Sequence, residues 1–146
     1  MRKLETVIEI NASVEDVWNV LMDHKAYPNW NPFIKQISGS TRPGEKLSAT
    51  IQNEGKKPME FAPIVLVNET NKEFRWKGKL FVKGLFDGEH YFILEKIGAS
   101  KTRFTHGEQF TGMLTGVILK MIGEDTKTGF EAMNSSLKTL VEWKVN

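Results

Sequence analysis

The sequence predicts an α+β protein in which a curved antiparallel sheet of seven strands packs against one long C-terminal helix. Residues 4–10 alternate between the two faces expected of a strand with one buried side. Six further strand-like segments follow between residues 33 and 111, and turn residues separate them. From residue 114 onward the apolar spacing becomes helical. A sheet must bury one face, and this helix is the long amphipathic element available to cover it.

Length and composition favour one globular domain over residues 1–146. Hydrophobic residues make up 40% of the chain and charged residues 26%, which is typical of a folded rather than a disordered chain. Cysteine is absent, which excludes a disulfide scaffold, a thiolate metal site and a cysteine nucleophile. The 20 basic and 18 acidic residues nearly balance, which argues against a nucleic-acid partner.

Integral membrane association and export are not predicted. The longest apolar runs, such as residues 63–67, are far shorter than the roughly 20 residues needed to span a bilayer. Residues 1–5 include basic side chains, but no apolar stretch follows them, so we expect no cleaved secretory signal. We therefore expect a cytoplasmic protein.

A short helix is predicted over about 14–22, directly after the first strand. Ser13 and Asp16 have the spacing of a capping box, in which the serine hydroxyl accepts a backbone N–H and the carboxylate reaches back. The next segment, residues 27–33, is rich in aromatic side chains and contains two Xaa-Pro pairs. Since a residue before proline is biased away from helical geometry, Tyr27 and its neighbours are expected to form a turn.

Turn residues divide the middle of the chain into six segments and so predict an antiparallel meander. The predicted strands are 33–39, 45–53, 59–69, 72–80, 86–97 and 100–111. The predicted breaks lie at 42–44, 55–58, 68–72, 83–84 and 98–100.

The last predicted element is a helix over about 114–143. Gly116, Gly123 and Gly129 interrupt it, and each interior glycine costs about 1 kcal/mol relative to alanine. We expect a kink near Gly123 or a close approach of the helix backbone to a packed group. A seven-stranded sheet is wide compared with one helix of about 10–12 Å diameter. Part of the sheet should therefore stay uncovered and border a cavity.

Five motifs stand out along the chain: Ala-Ser-Val-Glu-Asp-Val-Trp at 12–18, Tyr-Pro-x-Trp-Asn-Pro-Phe at 27–33, Trp-x-Gly at 76–78, Gly-x-His-x-Phe-x-Leu at 88–94 and Thr-x-Phe-x-His-x-Glu-x-Phe-x-Gly at 102–112. Together with the long helix, they resemble the START-like (SRPBCC) superfamily, and within it the bacterial polyketide cyclase/dehydrase and lipid-transport group. The resemblance implies a helix-grip fold, with two short helices after strand 1 and a sheet around the last helix and an internal cavity. It does not imply one reaction, since this scaffold hosts binders, enzymes and regulators.

Strand parity places candidate functional side chains on the inner face of the sheet. The last predicted strand carries His106 and Glu108 on its apolar-rich face. The strand before it carries His90 on the face of its apolar residues, so both histidines and Glu108 can face one cavity if these strands pair. The residues that we expect to bind a ligand are Trp30, Phe33, Trp76, His90, Phe92, Phe104, His106, Glu108, Phe110, Met121, Phe130 and Met133.

The sequence leaves three hypotheses about function open. The first is binding of a small hydrophobic molecule or lipid in the cavity, for transport or sequestration, without robust catalysis. The second is a cyclase-, hydratase- or hydrolase-type enzyme with His106 or His90 as general base and Glu108 as its partner. Arg75 and Arg103 have the opposite parity and are expected to be exposed, which weakens the cyclase alternative. The third is a protein-interaction module of the chaperone-activator kind, which would show an exposed apolar patch.

Structural roles compete with each of these functional ones. The histidines and Glu108 could form a satisfied buried pair that fixes the sheet, and the Trp30–Phe33 turn could be a plug that closes the core. Two histidines and one glutamate could also bind zinc or iron, but no other residue supports this, so we predict no metal and no cofactor. Met113, Met121 and Met133 could adapt to varied ligands or belong to the core. The oligomeric state is not predicted.

Overall fold

The computed structural model describes residues 2–79 and 86–146. The described strands are β1 (Arg2–Ile10), β2 (Ile34–Gly39), β3 (Leu47–Ile51), β4 (Met59–Phe61), β5 (Ile64–Glu69), β6 (Glu73–Lys79), β7 (Asp87–Gly98) and β8 (Lys101–Thr111). The helices are α1 (Val14–Leu21), α2 (Tyr27–Trp30) and α3 (Thr115–Val145), with a 3₁₀ turn at His24–Ala26. Across these residues no helix combines the length and apolar character needed to cross a bilayer.

The strands form two antiparallel sheets. The larger sheet has the order β1-β8-β7-β6-β5, and the smaller one has the order β2-β3-β4. An isolated bridge between Lys46 and Ile64 connects them. The predicted α+β class, with an antiparallel sheet and a long C-terminal helix, is confirmed.

The number of strands differs from the prediction. The described residues form eight strands rather than seven, because the strand predicted at 59–69 is divided at Ala62 and Pro63. Proline has no N–H to donate to a ladder, which explains the break. The break predicted at 83–84, and the end of the strand predicted at 72–80, lie outside the described residues.

Helix α1 begins where the capping motif predicts. The Ser13 hydroxyl oxygen accepts a hydrogen bond of 3.2 Å from the Asp16 backbone N–H. The same hydroxyl donates to the Asp16 carboxylate at 3.0 Å, so the carboxylate reaches the serine side chain rather than its backbone N–H. Val17 and Leu21 then fall on the buried side of the helix and join the core.

The segment predicted as a turn instead contains the short helix α2, which is the second of the two helices that the resemblance implies. Tyr27 has helical backbone angles (φ −51°, ψ −42°) although it precedes Pro28. Pro28 lies in the first helical turn, where its missing N–H removes no helical hydrogen bond. The buried Tyr27 hydroxyl donates a 2.6 Å hydrogen bond to the Leu21 carbonyl, and this tertiary anchor outweighs the local bias.

Helix α3 is continuous from Thr115 to Val145, close to the predicted 114–143. Its two halves differ in burial, and we refer to residues 115–129 as the first half and 130–145 as the second half. The second half carries four side chains with no measurable exposure, namely Phe130, Met133, Leu137 and Val141. In the first half, Val117 and Met121 are 62% and 76% exposed.

The exposure of Met121 contradicts its predicted inward position. The apolar stripe of the first half is two rows wide, and the row of Ile118 and Ile122 is the half-buried one. Val117 and Met121 form the other row, which is turned to solvent. Met113, also expected on this helix, precedes it and is 86% exposed.

Gly129, rather than Gly123, marks the close approach to the helix backbone. A Cβ atom at Gly129 would lie 2.5 Å from the ring of Phe33, so the absent side chain leaves the room that this ring occupies. Within the described part of the chain, no atom lies within 4 Å of a Cβ built at Gly123. The Phe33 ring therefore packs directly against the middle of α3.

Arg75 and Arg103 lie on the outer face, as parity predicts, but both are partly covered rather than fully exposed. The Arg103 side chain is 42% exposed, whereas that of Arg75 is 18% exposed. Arg75 is covered because its guanidinium lies 4.6 Å above the Tyr91 ring and forms ion pairs with Glu73 and Glu89. Neither arginine reaches the inner face.

Candidate functional site

Two rows of side chains cross the inner face of β6, β7 and β8. In the first row Trp76, His90 and Glu108 are direct cross-strand neighbours, and the Trp76 and His90 rings stack 4.9 Å apart. In the second row Phe92 faces His106. Diagonal neighbours in an antiparallel pair remain within reach, and the His90 and His106 Nε2 atoms lie 2.7 Å apart. His90 therefore lies against both Glu108 and His106.

Behind the histidines a polar network connects β8 to β1 and α3. His106 Nδ1 lies 2.9 Å from Asn134 Oδ1, and the Asn134 amide donates to Thr6 Oγ1 at 2.8 Å. The Thr6 hydroxyl donates to the His106 backbone carbonyl at 3.0 Å. All three residues are buried. Their hydrogen bonds satisfy one another, as buried polar groups require.

Sequence reasoning missed Thr6 and Asn134, although a signal for each is present. Thr6 is the polar member of the inward set of β1, between apolar positions. Asn134 falls at helical spacing from Phe130 and Leu137, on a stripe that is otherwise apolar. A polar residue on a buried stripe needs a buried partner, and that requirement points to a site.

His106 is uncharged at neutral pH. Burial lowers its pKa well below the ordinary value, and the nearby His90 lowers it further. Hydrogen bonds to Asn134 and to the backbone of Phe130 oppose this shift but are weaker. The Phe130 ring also stacks on the imidazole, with centroids 4.1 Å apart, and so closes it off from water.

Glu108 is the member of the cluster that borders open space. Its side chain is 20% exposed, whereas that of His90 is 1% exposed. Oε1 lies 3.4 Å from His90 Nδ1. Oε2 lies against the backbone of Gly88, where the Cβ of any other residue would collide with it. Gly88 therefore leaves the space that the carboxylate occupies.

A cavity of about 90 Å³ separates this cluster from the first half of α3. It is lined by five of the predicted ligand-binding residues, namely Phe33, Trp76, His90, Glu108 and Phe110. The wall that sequence reasoning missed consists mainly of Ala49, Ile51, Asn53, Met59, Phe61, Pro63, Gly78, Gly88, Ile122 and Thr126. Much of this wall belongs to the small sheet. The sequence of that sheet alternates between apolar and polar residues but contains no recognisable motif.

The other predicted residues do not line this cavity. Trp30 is half-buried, and Met121 is exposed. The remaining five are buried in the core behind the wall, namely Phe92, Phe104, His106, Phe130 and Met133. Their position supports the lining residues.

A wider surface groove of about 490 Å³ lies between the β3–β4 connection and α3. Asn53 lines both this groove and the cavity. Its Oδ1 atom is buried and has no hydrogen-bond partner within the described residues. Asn53 therefore marks the place where the cavity comes closest to the groove.

The geometry of the histidines is that of a hydrogen bond rather than of a metal centre. Their Nε2 atoms face each other at 2.7 Å, which is closer than two ligands of one zinc ion would lie. Among residues 2–79 and 86–146, no group of three histidine, aspartate or glutamate side chains could hold a metal ion.

An antiparallel sheet that holds a long C-terminal helix, with a cavity between the two, defines the START-like class of helix-grip domains. Within this class, the chain belongs to the family described as polyketide cyclase/dehydrase and lipid transport, which matches residues 1–142. No curated protein matches the chain.

Similar solved structures support the fold. A START superfamily protein from Mycobacterium smegmatis is 21% identical, with a TM-score of 0.73 and 97% of each chain covered. The Zhui aromatase/cyclase from Streptomyces sp. R1128 is 12% identical, with a TM-score of 0.79 over 99% of this chain and 96% of that one. A norcoclaurine synthase point mutant from Thalictrum flavum is 15% identical, with a TM-score of 0.75 and the same two coverages. Identities this low show a shared fold, not a shared reaction.

Proposed function

We propose that the protein binds a small hydrophobic molecule in the cavity between the sheet and α3. The observation that carries this proposal is the Glu108 carboxylate at the wall of a mostly apolar cavity. Apolar walls with a few placed polar groups are the common character of ligand sites. Phe33, Trp76 and Phe110 offer aromatic surface to the body of a ligand, while Glu108 and His90 offer a polar end. The family description, which includes lipid transport, supports the same proposal.

The volume of the cavity limits what binds without rearrangement. Its 90 Å³ is smaller than typical ligand pockets of roughly 300–1,000 Å³. A larger molecule requires the first half of α3 to move outward. This half is suited to such movement because it contributes few buried apolar contacts, and weakly packed segments open most readily.

Native mass spectrometry of freshly purified protein, followed by denaturing extraction, tests the proposal. We expect an adduct that is present under native conditions and lost on denaturation. Ile122→Trp fills the cavity from α3 and should remove the adduct, whereas Met121→Trp, on the exposed row, should retain it. A protein without adduct that also fails to bind naphthalene or para-xylene in calorimetric titration would contradict the proposal.

An acid–base enzyme is a second candidate, because His90 and Glu108 both border the cavity. In this candidate the pair exchanges a proton with the bound molecule. His106 then positions His90 from behind, since it does not line the cavity. Glu108→Gln should abolish turnover of the extracted ligand while the adduct remains. Unchanged turnover in this variant would exclude the candidate.

An interaction module is a third candidate, because Met113, Val117 and Met121 are exposed and apolar. The double variant Val117→Glu, Met121→Glu leaves the cavity lining unchanged and should retain the adduct. If the exposed row binds a protein, co-purification should yield a stoichiometric partner with the wild type and lose it with this variant. The absence of any such partner from the wild-type sample would contradict the candidate.

A further inference from the structure

The order of donors and acceptors in the polar network behind the cavity is fixed, because one member of the network is a backbone carbonyl, which can only accept a hydrogen bond. That member is the His106 backbone carbonyl, so the Thr6 hydroxyl uses its one proton to donate to it. Thr6 Oγ1 must then accept from the Asn134 amide, which turns Asn134 Oδ1 toward His106 Nδ1. Since an amide oxygen cannot donate, His106 Nδ1 carries a proton.

The chain of hydrogen bonds continues from His106 to the cavity wall through His90. His106 is uncharged, so a proton on Nδ1 leaves a lone pair on Nε2. His90 Nε2, which lies 2.7 Å away, therefore donates to His106. The other ring nitrogen of His90 faces Glu108 Oε1 at 3.4 Å. Two lone pairs would repel each other there, so a proton lies between these atoms, on the imidazole or on the carboxyl group.

We infer that this directed chain holds one shared proton between His90 and Glu108, and that the resulting pair selects a ligand whose polar end is a hydroxyl group. The inference rests on the proposed ligand binding and adds the chemical class of the ligand. The pair is uncharged overall wherever the proton lies, because an imidazolium with a carboxylate and an imidazole with a carboxylic acid have the same net charge. Glu108 Oε2, next to Gly88 at the cavity wall, then accepts a hydrogen bond from the hydroxyl.

Charged polar ends fit this wall less well. A ligand carboxylate or phosphate would bury a negative charge beside a pair that is uncharged overall, and no lysine or arginine among the described residues lines the cavity to offset it. A ligand ammonium would bury a positive charge beside a pair that is already neutral.

The remaining polar atoms of the wall also favour a donor in the ligand. Asn53 also lines the cavity, and its buried Oδ1 has no hydrogen-bond partner within the described part of the chain. A purely apolar ligand would cover the partly exposed Glu108 oxygens without offering them a donor, which is costly in a buried site. A hydroxyl group supplies the missing donor without adding charge.

Nitrogen NMR of isotope-labelled histidine side chains tests the proton positions without a ligand. We expect the shifts of protonated nitrogens at His106 Nδ1 and His90 Nε2, and that of an unprotonated nitrogen at His106 Nε2. Thr6→Val removes the anchor of the chain and should change these shifts. The control Thr105→Val, a residue outside the network, should leave them unchanged. A His106 protonated on Nε2 would overturn the direction of the chain and the shared proton with it.

Calorimetric titration with para-cresol, para-xylene and para-toluate tests the ligand class, because these probes share one ring and differ in one group. Wild-type protein should bind para-cresol roughly tenfold more tightly than either of the others. Glu108→Leu should abolish this preference. Gly88→Ala should weaken it by displacing the carboxylate, whereas Gly123→Ala, outside the cavity wall and with no described atom within 4 Å of the new Cβ, should preserve it.

The outcomes separate the inference from the proposed function. Equal affinity for the three probes, or a para-cresol preference that survives Glu108→Leu and Gly88→Ala, overturns the hydroxyl inference while ligand binding stands. Failure of all three probes to bind, together with a native mass spectrum free of adducts, overturns both.

Discussion

The two halves of α3 belong to one uninterrupted helix but differ in what they cover. The second half buries Phe130, Met133 and Leu137 completely against the sheet and supplies Asn134 to the polar network. The first half covers the cavity and leaves Val117 and Met121 in solvent. The difference shows that a helix can be anchored at one end of a site and only loosely packed over the other. Stability and access to the cavity can therefore be changed separately along one element.

The largest expected contrast comes from truncating one apolar side chain in each half. Leu137→Ala should lower the free energy of unfolding by about 2–5 kcal/mol, because it empties a fully buried position. Met121→Ala should change it by less than about 0.5 kcal/mol, because that side chain is 76% exposed. Urea denaturation of both variants measures the difference. Similar costs would mean that the two halves are packed alike.

The next effect concerns the polar anchor of the second half. Asn134→Ala should cost about 1–3 kcal/mol, because it leaves the buried His106 Nδ1–H without its acceptor and Thr6 Oγ1 without its donor. Ser135→Ala, at the adjacent exposed position, is the matched control and should be nearly neutral. Urea midpoints of the two variants test this, and equal midpoints would argue against a stabilising network.

Acid should weaken the anchorage of the second half through His106. Burial holds the pKa of His106 well below 6.5, and that of His24 at about 4. Below pH 6.5 the unfolded chain binds protons that the folded chain does not, so stability is full above this pH and falls as the pH decreases. Each histidine contributes a slope of up to about 1.4 kcal/mol per pH unit.

Urea unfolding between pH 7 and pH 4 measures this slope. His24→Phe keeps an aromatic ring against Tyr27 and Phe74 but removes one titrating group, so its slope should be smaller. The slope that remains includes the contribution of His106. A stability that rises as the pH decreases from 6.5 would contradict the neutral state of both histidines.

The smallest expected effects have opposite signs at two glycines of α3. Gly123→Ala should raise stability by up to about 1 kcal/mol, since alanine favours a helix and the site has room. Gly129→Ala should lower it, because the new Cβ meets the buried Phe33 ring at 2.5 Å. Thermal unfolding of the pair tests this, and a stabilised Gly129→Ala protein would show that the Phe33 ring yields easily.

Much of the fold follows from local patterns in the sequence. Alternation along β7 and β8 predicts that His90, His106 and Glu108 share the inner face, because side chains of a strand point alternately to its two faces. The Ser13 cap and the helical spacing after residue 114 likewise predict α1 and α3. These signals are strong because the spacing of apolar residues repeats along each element, at every second position in a strand and every third or fourth in a helix.

The predictions from sequence fail where tertiary contacts determine the local structure or which side of an element is buried. Tyr27 is helical because its buried hydroxyl donates a hydrogen bond to the Leu21 carbonyl. The bias of a residue that precedes proline does not take such a contact into account. Met121 lies on an apolar stripe, but periodicity alone does not say which of two adjacent rows faces the sheet. The link between Thr6 and Asn134 spans 128 positions, so it depends on the complete topology rather than on spacing.

That span has a consequence for how the protein is made. Bringing together residues so distant in sequence is slow, since loop-closure entropy opposes the encounter before any contact rewards it. During translation, β1 leaves the ribosome long before Asn134 is added to the chain, and until then His106 lacks its acceptor. The polar network behind the cavity is therefore completed only when α3 docks. A nascent chain therefore lacks the complete cavity wall until α3 has been synthesised.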